Sequence, residues 1–134
     1  MKVVTPVGIT DSTELPLMNC AIVNWPTTLL PSVTSVARIV AICDPVPGRA
    51  EELASQKQVK TACYTDLDAM LREAEPSIVH VVTPPATHAE LSIRAMEGGA
   101  NVLVEKPMAM TVDECDRMIA AARVLMPKAV VRLS

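Results

Sequence analysis

Three short groups of residues in this chain have the types and spacing to do chemistry, and each directly follows an apolar run. Asp44 ends the run at residues 39–43, Thr83-Pro84-Pro85 with His88 follows the run at 78–82, and Glu105-Lys106-Pro107 follows the run at 101–104. A carboxylate at the end of a parallel strand can accept both hydroxyls of a ribose and repel a 2′-phosphate. The same carboxylate can instead cap the turn into the helix that starts after Gly48, and Arg49 beside it leaves a 2′-phosphate open. A lysine at a strand end can hydrogen-bond a substrate hydroxyl and stabilise the negative charge that develops as its proton leaves. A lone Glu-Lys pair would ordinarily be an exposed ion pair, so the meaning of Glu105 and Lys106 depends on what surrounds them. Pro107 permits a cis peptide before it at small cost. His88 taken alone is a first-turn helix residue. His80, inside an apolar run, reads as a hydrogen-bonded core or sheet histidine rather than a site residue.

The elements that must position these residues follow from periodicity and punctuation. From Arg38 onward, strands are expected at residues 39–43, 60–64, 78–83, 101–105 and 129–133, with helices at 49–57, 65–74, 86–98 and from 111 to Pro127. Thr65 with Asp68, and Thr111 with Glu114, have the spacing of capping boxes, and Thr87 is placed to cap the helix after the Pro-Pro turn. The last helix should turn Val112, Cys115, Ile119, Ala122 and Met126 to one face. Before Arg38 the pattern is looser: a strand at residues 2–9 despite Pro6, a polar turn, a helix at 16–24, and an irregular connection at 25–35 broken by Pro26 and Pro31. Strand and helix then alternate six times with short connections, the pattern of a doubly wound parallel sheet of α/β class with six strands in a single domain, residues 1–134, in the order 3-2-1-4-5-6. In such a sheet, ligands bind at the carboxyl ends of the strands, so His88 and the Glu105-Lys106 pair should meet at one crevice.

The stretch VHVVTPPATHAELSIRAMEGGANVLVEKPMAMTVDE, residues 79–114, resembles the middle of the nucleotide-binding domain of the glucose-fructose oxidoreductase / inositol dehydrogenase / rhizopine-catabolism (Gfo/Idh/MocA) family. The likeness extends from about Arg38 to the chain end and rests on a TPPxxH turn followed by EKP at the end of the next strand. It implies a Rossmann-like domain that binds NAD, with NADP second. It further implies that Asp44 meets the adenosine ribose, Thr83, Pro84 and His88 line the dinucleotide groove, Glu105 helps hold the nicotinamide ribose, and Lys106 is catalytic. It also implies a sugar, inositol or related polyol as substrate, and a second α/β domain, absent after Ser134, that would bring the general base.

One departure bears on the cofactor. Such folds open with a glycine-rich turn after the first strand, where backbone N–H groups approach the diphosphate. With the first strand at 2–9, Gly8 would be the glycine there, followed by Asp11 and Glu14 and by no other glycine before Gly48. Two unit charges of like sign about 4 Å apart oppose each other by roughly 4 kcal/mol near a protein surface, so either the loop turns Asp11 and Glu14 outward or dinucleotide binding is weakened.

Composition narrows the classes. Half the residues are apolar, yet Phe is absent and Trp25 and Tyr64 are the only aromatics, so the core must be aliphatic, as buried parallel sheets are. A net charge of −3 with no basic stripe argues against nucleic acid. No apolar run approaches the ~20 residues that span a bilayer, and no signal sequence opens the chain, so a cytoplasmic location is expected. Cys20, Cys43, Cys63 and Cys115 are widely spaced, without a CxxC pair or neighbouring His, and read as small buried hydrophobes rather than as metal ligands or disulfides. Two rival readings stay open: a non-catalytic dinucleotide-binding or interaction module, and a truncated product without function. A homo-oligomer or a second chain that completes the site stays open as well.

Overall fold

A computed structural model describes residues 18–23, 37–125 and 132–133. Its strands are β1 (Met18–Val23), β2 (Ala37–Cys43), β3 (Ala62–Tyr64), β4 (Ile78–Val81), β5 (Asn101–Val104) and β6 (Arg132–Leu133). They form one sheet in the order β3-β2-β1-β4-β5-β6, and every neighbouring pair is parallel. The order reverses between β1 and β4, the place where open α/β sheets form a crevice.

The helix expected over residues 16–24 is instead β1, the strand at the centre of the sheet. Its sequence, Met-Asn-Cys-Ala-Ile-Val, is a short apolar run. Helical and strand periods cannot be separated over so few residues, and pairing with both β2 and β4 decides for the strand. The strand expected at residues 2–9 lies outside the described residues, as does the connection at 25–35.

Among the described residues, four α-helices cover the sheet: α1 (Arg49–Gln56), α2 (Leu67–Ala74), α3 (His88–Glu97) and α4 (Val112–Leu125). Val79, Val81, Val102 and Val104 pack with Met70 and Leu71 of α2, Ala89 and Ala95 of α3 and Met118 and Ala122 of α4. On the other face, Ile39, Ile42 and Val82 pack with Ala50 of α1. Helices thus lie on both faces, and alternate residues of β4 point to opposite layers. In β2 the alternation slips once. Register moves from Cys20↔Ile39 to Ala21↔Ala41, leaving Val40 as an extra residue, so Ile39 and Ile42 share a face although three positions apart.

The helix starts explain themselves locally. At α2 the cap is Asp66, whose Oδ2 accepts from the Ala69 N–H at 2.8 Å, in place of the expected Thr65–Asp68 box. At α4 the expected box is present. The Glu114 N–H donates to Thr111 Oγ1 at 3.2 Å, and Glu114 Oε2 accepts from the Thr111 and Met110 N–H groups at 3.2 and 2.9 Å. The buried stripe of α4 is nevertheless Met118 and Ala122, while Val112 is 78% exposed and Ile119 faces outward. The expected stripe and the observed one share Ala122 and differ by about one residue's rotation, too little for period alone to resolve. Met126 lies outside the described residues.

Candidate functional site

Register brings the strand ends level. Val23 is opposite both Cys43 and Val81, and Val81 is opposite Val104, so the residues that follow leave the sheet along one edge. Two backbone bonds extend the ladders by one step: the Asp44 N–H donates to Tyr64 O at 3.0 Å and the Glu105 N–H to Val81 O at 3.1 Å. Asp44 after β2 and Glu105 after β5 are therefore fixed as firmly as strand residues, three strand spacings or about 14 Å apart.

Asp44 is 4% exposed. Its Oδ1 accepts from the Val46 N–H at 2.9 Å, and its Oδ2 lies 3.9 Å from Arg49 Nε. The carboxylate thus shapes the Pro-rich turn, with Arg49 alongside, while Gly48, at φ 82°, occupies the N-cap of α1 without a side-chain bond. Turn-shaping and ligand-binding are compatible for a carboxylate with about four acceptor positions.

After β4 comes Thr83, half-buried, then exposed Pro84 and a 3-10 turn at Pro85–Thr87 that leads into α3. Thr87 occupies the N-cap of α3 but does not cap it through its side chain. Its Oγ1 bonds backward, to Thr83 Oγ1 at 2.7 Å and Pro84 O at 2.8 Å, closing the turn on itself. His88 is 1% exposed. Its Nε2 lies 2.7 Å from Thr83 O and its Nδ1 2.8 Å from Pro107 O. Both ring nitrogens are committed to backbone carbonyls, so the ring ties the β4 turn to the β5 corner and keeps no polar atom for a dinucleotide. Carbonyl oxygens only accept; a neutral ring donates to one of them at a time, the imidazolium to both.

Glu105, Lys106 and Pro107 turn away from β5 through a cis Lys106–Pro107 peptide. Lys106 is exposed at this edge. Glu105 is held from a side that sequence reasoning missed: His80 Nε2 lies 3.0 Å from its Oε1. His80 is opposite Leu103 in the sheet, so Glu105, two residues further on, is its diagonal neighbour on the same face. The signal was present in the sequence as an i, j+2 pair, but only a known register exposes it. Burial lowers the His80 pKa and contact with Glu105 partly offsets that. The Nε2 proton therefore points to the carboxylate, which can only accept.

The expected place of Gly8 changes. With β1 at Met18–Val23, the chain leaves the first strand of the sheet at Asn24, and residues 24–36 contain no glycine. Gly8, Asp11 and Glu14 precede β1 and lie outside the described residues. Among the described residues, no group of three or more His, Cys, Asp or Glu could hold a metal ion, and no helix is long and apolar enough to cross a membrane. Cys43 is buried, and Cys63 and Cys115 are partly so, all as free thiols.

Comparison with known proteins places this edge in context. The chain is 28% identical over 92 residues to inositol 2-dehydrogenase of Salmonella typhimurium, covering 69% of this chain and 27% of that one. It is 41% identical over 85 residues to 2,7-anhydro-N-acetylneuraminate hydratase of Mediterraneibacter gnavus, covering 62% and 21%. It thus spans about a quarter of the length of the curated relatives it matches. Among solved structures, the WlbA dehydrogenase of Chromobacterium violaceum, in complex with NADH and UDP-GlcNAcA, superposes with a TM-score of 0.78 at 23% identity, over 96% of this chain and 38% of that one. Scyllo-inositol dehydrogenase of Lactobacillus casei, with bound NAD(H) and scyllo-inositol, gives 0.75 at 18% identity, over 89% and 36%. These two likenesses concern the fold. The model of one family covers residues 21–131, from within β1 to the residue before β6, and the chain belongs to that family: the GFO_IDH_MocA oxidoreductases, with an NAD-binding Rossmann fold.

Proposed function

We propose that this chain is the dinucleotide-binding part of an oxidoreductase that moves a hydride at a sugar, inositol or related hydroxyl, completed by a second domain or a second chain. The observation that carries the proposal is the alignment of Asp44 and the Glu105-Lys106 pair on one carboxyl edge, about 14 Å apart across the switch point. That spacing suits an extended ligand with a ribose at each end. Asp44 would accept the adenosine ribose hydroxyls, which favours NAD over NADP, and Arg49 at 3.9 Å moderates that preference. Thr83 and Pro84 would form the wall of the groove, Glu105 would hold the second ribose, and Lys106 would reach the reacting oxygen.

The donor set fits the cofactor at these positions. When bound, an oxidised nicotinamide supplies the hydride acceptor. Lys106 would then hydrogen-bond the substrate hydroxyl, stabilise the charge that grows on its oxygen as the proton leaves, and hold the carbonyl oxygen that results. The base for that proton and the wall that excludes water would come from the completing domain. The relatives' own names include a hydratase as well as dehydrogenases, so the shared part is the nucleotide domain rather than one substrate.

One observation favours a second reading, a binding module with weak dinucleotide affinity. The sequence that follows Val23, Asn24-Trp25-Pro26, has no glycine of the kind that lets a backbone approach a diphosphate, and Pro26 has no N–H to offer. Titrating NADH fluorescence against the purified chain separates the two. Saturable binding that weakens on Asp44→Ala supports the dinucleotide reading, and no binding up to ~1 mM NADH, a free energy of only about −4 kcal/mol, would overturn it.

A further inference from the structure

The chain contains two histidines, and each bonds to one neighbour of Lys106. His80 Nε2 meets the Glu105 carboxylate at 3.0 Å, and His88 Nδ1 meets the Pro107 carbonyl at 2.8 Å. Both rings are buried, at 5% and 1% exposure, while Lys106 between their partners is exposed. We propose that His80 and His88 are positioning residues that clamp the corner on both sides of Lys106 and so fix where its ammonium stands. This deepens the function proposed above and rests on it for its meaning, but the clamp itself is testable without any dinucleotide.

Lysine has a long, flexible side chain, and a corner beyond a strand end is a mobile place to mount one. Precision must come from the backbone beneath it. On one side, the ladder bond from the Glu105 N–H to Val81 O and the His80 contact fix both the main chain and the side chain of Glu105. On the other side, among the described residues no ladder bond follows that of the Glu105 N–H, and the His88 ring takes over. The same ring also lies 2.7 Å from Thr83 O, so the β4 turn and the β5 corner cannot move apart without losing a close buried contact. His80 comes from within β4 and His88 from the first turn of α3, two rigid elements, which is the support a placed functional group needs. Glu105 is the carboxylate set against His80.

The test uses side-chain amides that replace one ring nitrogen at a time. Gln presents its amide near the Nε2 position and Asn near the Nδ1 position. His80→Gln therefore keeps a donor toward Glu105, and His80→Leu removes it. His88→Asn keeps the bond to Pro107 O, and His88→Gln keeps only that to Thr83 O. Relaxation of ¹⁵N in the ligand-free chain should show the Lys106 amide order parameter falling from ~0.85 to below ~0.6 in His80→Leu and His88→Gln, and staying near ~0.85 in His80→Gln and His88→Asn. NADH affinity should fall about tenfold in the first pair and little in the second. Should His80→Leu not fold, His88→Gln against His88→Asn carries the same comparison. Equal order at Lys106 in the kept-bond and lost-bond variants, all folded, would overturn the clamp. Loss of order at Lys106 in a chain that binds no NADH even unmodified would uphold the clamp and sink the dinucleotide reading instead.

Discussion

His80 and Glu105 are joined across two adjacent strands by a 3.0 Å contact from Nε2 to Oε1, with the ring buried and the carboxylate 24% exposed. A neutral imidazole that donates to a carboxylate gives a buried ring one satisfied nitrogen and a fixed tautomer. Burial disfavours the charged ring more than Glu105 favours it, so the His80 pKa lies below its ordinary 6.5 in the folded chain.

That direction makes a stability prediction with a definite sign. Below about pH 6.5 the unfolded chain takes up a proton at His80 that the folded chain refuses, so stability falls as pH drops through 6.5 toward the folded value. Glu105→Gln removes the influence that raises the His80 pKa and should widen the window, while His80→Gln should remove this contribution altogether. Urea midpoints measured between about pH 5 and pH 8 for the three chains check it, because the other carboxylates contribute equally to all three. A pH slope in this window that survives His80→Gln unchanged would refute the assignment.

Cofactor choice should turn on Asp44. Its buried carboxylate stands at the end of β2 with Arg49 Nε 3.9 Å away, so removing the negative charge leaves the guanidinium uncompensated. Asp44→Ser should weaken NADH binding and strengthen NADPH binding, reducing or reversing the preference, with a change on the order of 10-fold in the ratio. The same substitution removes the acceptor for the Val46 N–H, so a loss of about 1 kcal/mol of stability is expected alongside. Tighter binding of NADPH than NADH by the unmodified chain would show that Asp44 does not face the ribose.

How far the sequence revealed this arrangement depends on the element. From β2 onward, β-branched runs, proline stops and the Thr111–Glu114 box are strong local signals, and the strands and helices fall within a few residues of their expected positions. The central strand β1 is not legible as a strand because a run of six residues, five of them apolar, fits either period. At the site, Glu105 and Lys106 stand at the expected edge, but the partners of the histidines are tertiary. The His80–Glu105 contact needs the β4–β5 register, and His88 meets Pro107 across 19 positions, so both remain invisible to spacing alone.

Cys43 should behave as an inert thiol in the folded chain. Burial first, then the carboxylates of Asp66 and Asp44, push its pKa up to about 11. At about pH 8 only ~1 in 1,000 of these thiols is thiolate, the form that reacts. Iodoacetamide should therefore label Cys43 slowly in buffer and quickly in urea, as mass spectrometry of the peptides would show. Asp66→Asn retains an N-cap side chain for α2 while removing one charge, so labelling should quicken only slightly, because burial is the larger cause. Fast native labelling of Cys43 would mean that β2 opens far more readily than its packed position allows.

The two glycines that close α3 should respond oppositely to a change made elsewhere. A Cβ at Gly98 would meet Leu71 at 2.9 Å from Cδ1, 3.2 Å from Cβ and 3.3 Å from Cδ2, whereas a Cβ at Gly99 would meet nothing within 4 Å. Gly99 has φ +89°, a left-handed conformation that costs a residue with a Cβ about 1–2 kcal/mol. Gly98→Ala should thus destabilise by overpacking, about 1–3 kcal/mol less the few tenths gained by restricting the unfolded chain, and Gly99→Ala by backbone strain. Leu71→Ala, costly by itself at about 2–5 kcal/mol, opens the space that the Gly98 methyl needs. In that background Gly98→Ala should become neutral or stabilising, a coupling of about 1–3 kcal/mol, while Gly99→Ala should cost what it costs alone. Denaturant melts of the three single and two double variants decide the point. Strict additivity between positions 71 and 98 would show that α2 and the end of α3 are not packed at the distance the structure gives.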